Sequence, residues 1–321
     1  MSIDPISSLH AIGAMGAAVL VLYLLAQLPQ CYIHWIFCIM AAVLLVASCS
    51  VMFMFLASAQ SRPGAVFAEY RTPALAVPND IVFGAILLPI VASYANRARG
   101  ALRALAVAGV LCFAYAAWLS QSRLCVLLIA LVVVLHVGRT SHLSQALASL
   151  LLIVFGAVAA DQWFELGFTE NFGKLQRENA RLSIWSAGLT QWAVFPLLGI
   201  GPGHFEVIYD RGIRAIDLPS WLLVEHRRIP WAHNIYLESY LERGVVGLLT
   251  QLALFTAIYL RLRQSVNQAE PAVRPYFSAL LISFVVFLCA GMFELTLNRI
   301  WVVNMLAVYI GVCLMPRSSP Y

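Results

Sequence analysis

Three side chains in this chain could handle an anion or a proton: Arg123, Arg181 and His233. Arg123 follows Gln121-Ser122 and opens an apolar run. An arginine at a bilayer centre costs on the order of 3 kcal/mol, but near a helix end its head can snorkel to water. It therefore reads either as a snorkelling terminus or as an anion site facing an outer cavity. Arg181 reads either as an exposed charge on an amphipathic helix, paired with Glu178 three residues back, or as a second anion ligand. His233 stands where a helix is expected to begin, as a cap, a core residue or a proton acceptor. On that helix Tyr236 lies about 60° and Tyr240 about 20° from His233 at 100° per residue, so the three share a face. Glu238 and Glu242 fall about 140° and 180° away. They cannot pair with the histidine through this helix alone, and Arg243 or loop arginines are their expected partners. Gly199-Ile-Gly-Pro-Gly203 has no preceding strand and no βαβ context, so it reads as a turn and not as a dinucleotide loop. His204 and His226 lack ligand-like spacing, and no Ser-His-Asp or metal-ligand pattern stands out.

These residues belong to a polar island, Asp161 to Gly247, inside a membrane-grade chain. Hydrophobic residues make up 62% of the 321 and charged ones 11%, well under the roughly 25% of soluble domains. Yet 8 of the 15 acidic residues fall between Asp161 and Arg228, so that stretch must face water or a wet cavity. The apolar runs are continuous, not alternating, which predicts an all-α polytopic membrane protein and not a barrel. Runs at about 11–28, 33–57, 80–96, 101–119, 123–138 and 143–160 precede the island. Runs at about 235–260, 276–296 and 299–316 follow it, for about nine transmembrane helices in all. The expected organisation is N-terminal helices over 1–160, an extracytoplasmic loop with an amphipathic helix over 161–232, and C-terminal helices over 233–321. Within the loop, Leu175 to Val194 has helical character and Glu206 to Ile229 is loop-like. Pro89 is expected to kink the third helix.

Arg97, Arg99, Arg103, Arg139, Arg261, Arg263, Arg274 and Arg317 fall on one side if the crossings alternate. The positive-inside rule makes that side cytoplasmic, with the island and the N-terminus outside. No basic flank precedes the first apolar run, which points to a retained helix. The net charge of +5 is spread among loops, so nothing indicates a nucleic-acid partner. The 7 cysteines lie in apolar segments without CxxC spacing and read as packing residues.

Ser122-Arg123 at a helix start is followed by Arg181-x-x-x-Trp185 and then by Pro196-Leu-Leu-Gly-Ile-Gly-Pro-Gly-His-Phe205. His233-Asn-x-Tyr-Leu-x-x-x-x-Glu-x-Gly244 comes last. In this order the motifs resemble those of the O-antigen ligase and Wzy-type polymerase superfamily, most specifically in the last two, and across roughly residues 60–316. The chain departs from that pattern in having fewer crossings before the large loop, and in Leu124-Cys125 where small residues are usual. The resemblance implies a GT-C-like fold in the bacterial inner membrane. It also implies a metal-independent transferase that needs no cofactor. The donor is an undecaprenyl-diphosphate-linked glycan, the acceptor a glycan or the lipid A core. By the same resemblance Arg123, Arg181 and His233 are the essential residues; Tyr236 and Tyr240, on the helix face expected to carry His233, are candidate substrate contacts. Guanidinium suits a leaving diphosphate because it stays charged and binds phosphate bidentately. His233 then serves either as the base for the acceptor hydroxyl or as a phosphate ligand. The other classes to weigh are a transporter of lipid-linked sugars, which predicts repeats and midplane polar residues, and a non-catalytic scaffold of an assembly system. The motifs do not separate ligase from polymerase, and they do not fix the oligomeric state.

Overall fold

The computed structural model describes residues 5–57, 81–120, 122–140, 180–193, 196–217 and 229–316. Ten α-helices account for most of them: α1 Pro5–Gln27, α2 Ile33–Ala57, α3 Val82–Ala95, α4 Gly100–Ser120, α5 Arg123–Thr140, α6 Ala180–Thr190, α7 Phe205–Ala215, α8 Ile235–Gln268, α9 Arg274–Gly291 and α10 Ile300–Leu314. No strand occurs among the described residues. Four helical stretches are long and apolar enough to cross a bilayer: Gln30–Phe53, Gly100–Ala117, Ile235–Gln268 and Arg274–Gly291. Gly16–Gln27, Val82–Ala95, Leu124–His136 and Ile300–Leu314 are shorter apolar helices. Eight of the nine expected runs are thus helical, and the run at 143–160 lies outside the described residues. Leu20, Ile39, Phe53, Leu111, Leu127 and Leu249 are all exposed, as lipid-facing positions of such helices must be. The chain is a multi-pass helical membrane protein.

Two compact units divide it. The first is Met1–Leu28, Glu170–Arg261 and Gly291–Pro316; the second is Pro29–Thr169, Leu262–Ala290 and Arg317–Tyr321. In the second unit α2 packs on α3 and α4, and α3 packs on α4 and α5. Gly84 lets α3 approach α4 closely, since a Cβ there would sit 2.2 Å from the Phe113 ring. Ser283 Oγ donates to Ile86 O at 2.6 Å, which ties α9 to α3. Pro89 lies inside α3, which continues past it.

In the first unit α1 packs on α10 and α6 on α7. Helix α7 corrects the loop expected from Glu206 onward. Its 11 residues bury Phe205, Ile208, Tyr209 and Gly212, which recur three and four apart as one face of an amphipathic helix requires. Gly212 rests against the backbone of α6, where a Cβ would meet Ala187 O at 1.9 Å. Helix α6 ends at Thr190, before the Val194 expected, in a turn at Gln191–Ala193; the start expected at Leu175 lies outside the described residues.

The Pro-Leu-Leu-Gly-Ile-Gly motif explains a break in α8. Gly244 has φ 68° and ψ −169° in mid-helix. Around it Val245 N and Val246 N donate to Pro196 O (2.8 Å) and Leu197 O (3.3 Å), while Ile200 N and Gly201 N donate to Leu241 O (3.2 Å) and Glu242 O (2.8 Å). The non-helical segment 196–201 is spliced into the helical ladder and takes over these bonds, so the backbone groups at the break keep partners. Both crossing points need glycine. A Cβ on Gly199 would lie 2.2 Å from Glu242 C, and one on Gly244 would lie 2.2 Å from Leu197 C.

Candidate functional site

The site lies in the first unit, where three chain segments meet on one carboxylate. Glu294 sits in the turn between α9 and α10 and is fully buried. Its Oε2 accepts a bond from Arg181 Nη2 at 2.7 Å. Its Oε1 accepts from Arg299 Nη2 at 3.2 Å and from His233 Nδ1 at 3.2 Å. Burial on its own would raise the Glu294 pKa, but the hydrogen bond and charge of His233, with Arg299 and Arg181 behind them, hold it below the usual carboxylate value. It is an anion whose role is to gather cations.

Each donor is fixed from behind. Trp185, one helical turn after Arg181 on α6, donates Nε1–H to Ala232 O at 2.8 Å, so α6 is pinned to the residue just before His233. The Arg299 guanidinium stacks over Trp231 at 5.1 Å, a cation–π contact, and is nearly buried. His233 has a positive φ of 52° and therefore does not belong to the helix. Helix α8 starts at Ile235, capped by Asn234 Oδ1, which accepts from Tyr236 N and Leu237 N at 3.0 Å each. The angular argument that placed His233 on one face with Tyr236 and Tyr240 consequently fails for the histidine, because helical rotation does not apply to a residue in the left-handed region.

Because a carboxylate only accepts, Nδ1 of His233 must carry the proton in this contact. In the neutral form of the ring Nε2 then carries the lone pair, an orientation common to working histidines. Side-chain exposures of 28% for Arg181 and 21% for His233 leave both open to a ligand. Among the four side chains two guanidiniums face one carboxylate, so the cluster is net cationic even with His233 neutral.

Glu238, expected beside an arginine, is instead fully buried among neutral donors. Its Oε1 accepts from Thr296 Oγ1 and from Asn298 Nδ2 at 3.4 Å, and its Oε2 accepts from Ala232 N at 3.2 Å. It staples the start of α8 to the turn that carries Glu294. Glu242 meets the expectation: Arg243 Nη2 lies 3.6 Å from its Oε2. Its Oε1 accepts from Phe205 N at 3.2 Å, at the N-terminus of α7, where a carboxylate suits the helix dipole.

Of the expected site residues, Arg181 and His233 are thus brought together. Tyr236 turns to the bundle, its ring edge-on to Phe255 at 6.2 Å and close to Gly291. Tyr240 donates its hydroxyl to Trp192 O at 3.1 Å and lines a small groove with Ile200 and Arg211. Arg123 opens α5 in the second unit; its side chain lies outside the described residues, as does Glu178. Glu294 and Arg299 escaped the sequence reading. Glu294 sits at the end of an apolar run like any interfacial acid, 61 residues from His233, and nothing local marks its partners.

A family model described as O-antigen ligase matches residues 84–252, just over half of the chain. An exopolysaccharide production protein, ExoQ, of Rhizobium meliloti (strain 1021) is 30% identical over 166 residues, covering 48% of this chain and 38% of the relative. The chain therefore matches well under half the length of that relative. Arg123, Arg181, His233, Tyr236 and Tyr240 fall inside the family-matched stretch; Glu294 and Arg299 fall beyond it.

Proposed function

Since the chain belongs to the O-antigen ligase family, we propose that it is a surface-polysaccharide transferase of the bacterial inner membrane. It moves a glycan from a polyprenyl-diphosphate carrier to an acceptor hydroxyl at the extracytoplasmic face. The observation that carries the reading is the Arg181–Glu294–His233 contact with Arg299 behind it. A metal-free transfer needs a fixed cation for the leaving phosphate and a base oriented beside it. This cluster supplies both.

In the proposed step the acceptor oxygen attacks the anomeric carbon and the bond from that carbon to the diphosphate oxygen breaks. The leaving diphosphate gains charge, which the Arg181 guanidinium meets through paired N–H donors. The acceptor proton passes to Nε2 of His233, whose Nδ1–H is held by Glu294, so the imidazolium that forms is stabilised by an adjacent anion. Arg299 keeps that carboxylate ionised from its buried side. Arg123 is assigned to the same diphosphate on the strength of its motif, and Tyr236 and Tyr240 to the glycan. The donor is taken to be undecaprenyl-diphosphate-linked and the acceptor a glycan or a lipid A core.

The test is transfer by the purified chain in nanodiscs, with lipid-linked donor and acceptor. Arg123→Ala, Arg181→Ala and His233→Ala should each lower the rate by at least about 100-fold, the low end for a lost acid–base or charge-stabilising group. Wild-type rates in all three would end the proposal. Deletion in cells separates the two family activities: unligated lipid-linked polymer accumulates if a ligase is lost, single repeat units if a polymerase is lost.

A further inference from the structure

The second unit holds a different cationic cavity, between the C-terminal end of α3, the N-terminal end of α9 and His136 of α5. It is open, about 860 Å³ counting its mouth. Arg97 and Arg274 stand at its rim and are exposed. Its wall includes Ala279 and Ile282, and its lining contains no carboxylate among the described residues. The rim is held in place. Arg97 lies over the Tyr276 ring at 5.8 Å, and Tyr276 meets Phe37 edge-on at 4.8 Å. Below, buried Ser93 donates to Pro275 O at 3.5 Å and joins α3 to α9. Arg97 comes from the turn after α3 and Arg274 is the first residue of α9, far apart in sequence, yet they share one opening.

We propose that this cavity binds the phosphate of an anionic membrane phospholipid, with the acyl chain along Ile282 and Ala279. Two exposed guanidiniums, with the His136 imidazole in the lining, suit a phosphodiester. An apolar wall beneath them suits a ligand with a tail and has no use for free phosphate. Basic pockets between helix ends are a recurrent place for acidic headgroups, and the positive-inside expectation for Arg97 and Arg274 puts this one at the cytoplasmic leaflet. The site is separate in residues and in unit from the Glu294 cluster, so it stands whether or not the transferase reading does.

The experiment is native mass spectrometry of the full chain released from nanodiscs of phosphatidylcholine containing a minor share of phosphatidylglycerol or cardiolipin. The wild type should retain the anionic lipid selectively. Arg97→Gln with Arg274→Gln should weaken retention about thirtyfold, the effect of two arginines near a bilayer surface. Arg97→Lys with Arg274→Lys should keep most of it and controls for folding. Arg181→Gln should leave lipid retention intact while lowering transfer, which keeps this proposal apart from the functional one. Equal retention by the glutamine pair, or no preference over phosphatidylcholine, overturns it. So does inorganic phosphate displacing the lipid at equal concentration, because the cavity would then serve a soluble anion.

Discussion

Replacing Glu294 by Gln removes one charge and almost no volume, so its effect isolates what the anion does. The wild-type carboxylate accepts three bonds, from Arg181, Arg299 and His233. A glutamine offers one oxygen, and its amide must turn N–H groups toward at least one of these donors. Two guanidiniums then lie together without the carboxylate that joins them, one of them nearly buried. Breaking a buried pair by neutralising one partner costs about 3–5 kcal/mol, and a retained oxygen returns part of that, so about 2–4 kcal/mol of stability should be lost. Catalysis should fall further, by about 10²–10⁴-fold, since His233 loses the acceptor that holds its proton on Nδ1. The assay is single-turnover transfer in nanodiscs alongside thermal unfolding of the same samples. Loss of turnover with a folded protein supports the positioning role. A variant that is folded and transfers at the wild-type rate refutes it.

The pH dependence of that stability gap follows from the lowered Glu294 pKa. A folded-state pKa below the unfolded one means the contribution is fully present above the ordinary value of about 4.5 and disappears as pH falls through the folded value; the melting-temperature gap between wild type and Glu294→Gln should therefore be flat above about pH 5 and close only in stronger acid. Gly244→Ala forces a side chain at positive φ into the backbone of Leu197 and should cost at least about 2 kcal/mol, whereas Gly203→Ala, with φ 76° and open space around it, should cost only about 1 kcal/mol; differential scanning of both variants checks the splice. Arg299→Lys keeps the charge but loses the planar stack on Trp231, so fluorescence of that tryptophan should shift and turnover should fall, by less than in Glu294→Gln. Trp185→Phe deletes one hydrogen bond to Ala232 and should cost about 1 kcal/mol, read as a lower melting temperature with His233 still functional.

The splice shows how far local sequence reaches. Pro196, Gly199, Gly201 and Gly244 signal breaks wherever they stand, and the turn expected at Gly199–Gly203 is there. That the two broken segments complete one another's hydrogen bonds was not legible, because the pairing joins residues more than 40 positions apart. Helix α7 was missed for a related reason. Asp210, Arg211 and Arg214 make the segment look like solvated loop, while its Phe205–Ile208–Tyr209–Gly212 face becomes helix-stabilising only when α6 is there to cover it.

Composition alone determined a helical membrane chain and the breaks in it, because transfer free energy of apolar runs and the steric demands of glycine and proline act over a few residues at a time; motif order added a resemblance to the O-antigen ligase family, which the family match bears out. The motifs also singled out Arg181 and His233, though not what joins them. Tertiary structure chose Glu294 as the common partner, took His233 off its helix and set Glu238 among neutral donors. Ion pairing depends on distance in space and on the exclusion of water. Neither is encoded near the residues concerned, so an acid at the end of one apolar run gains its meaning only when the chain folds it onto two arginines and an imidazole.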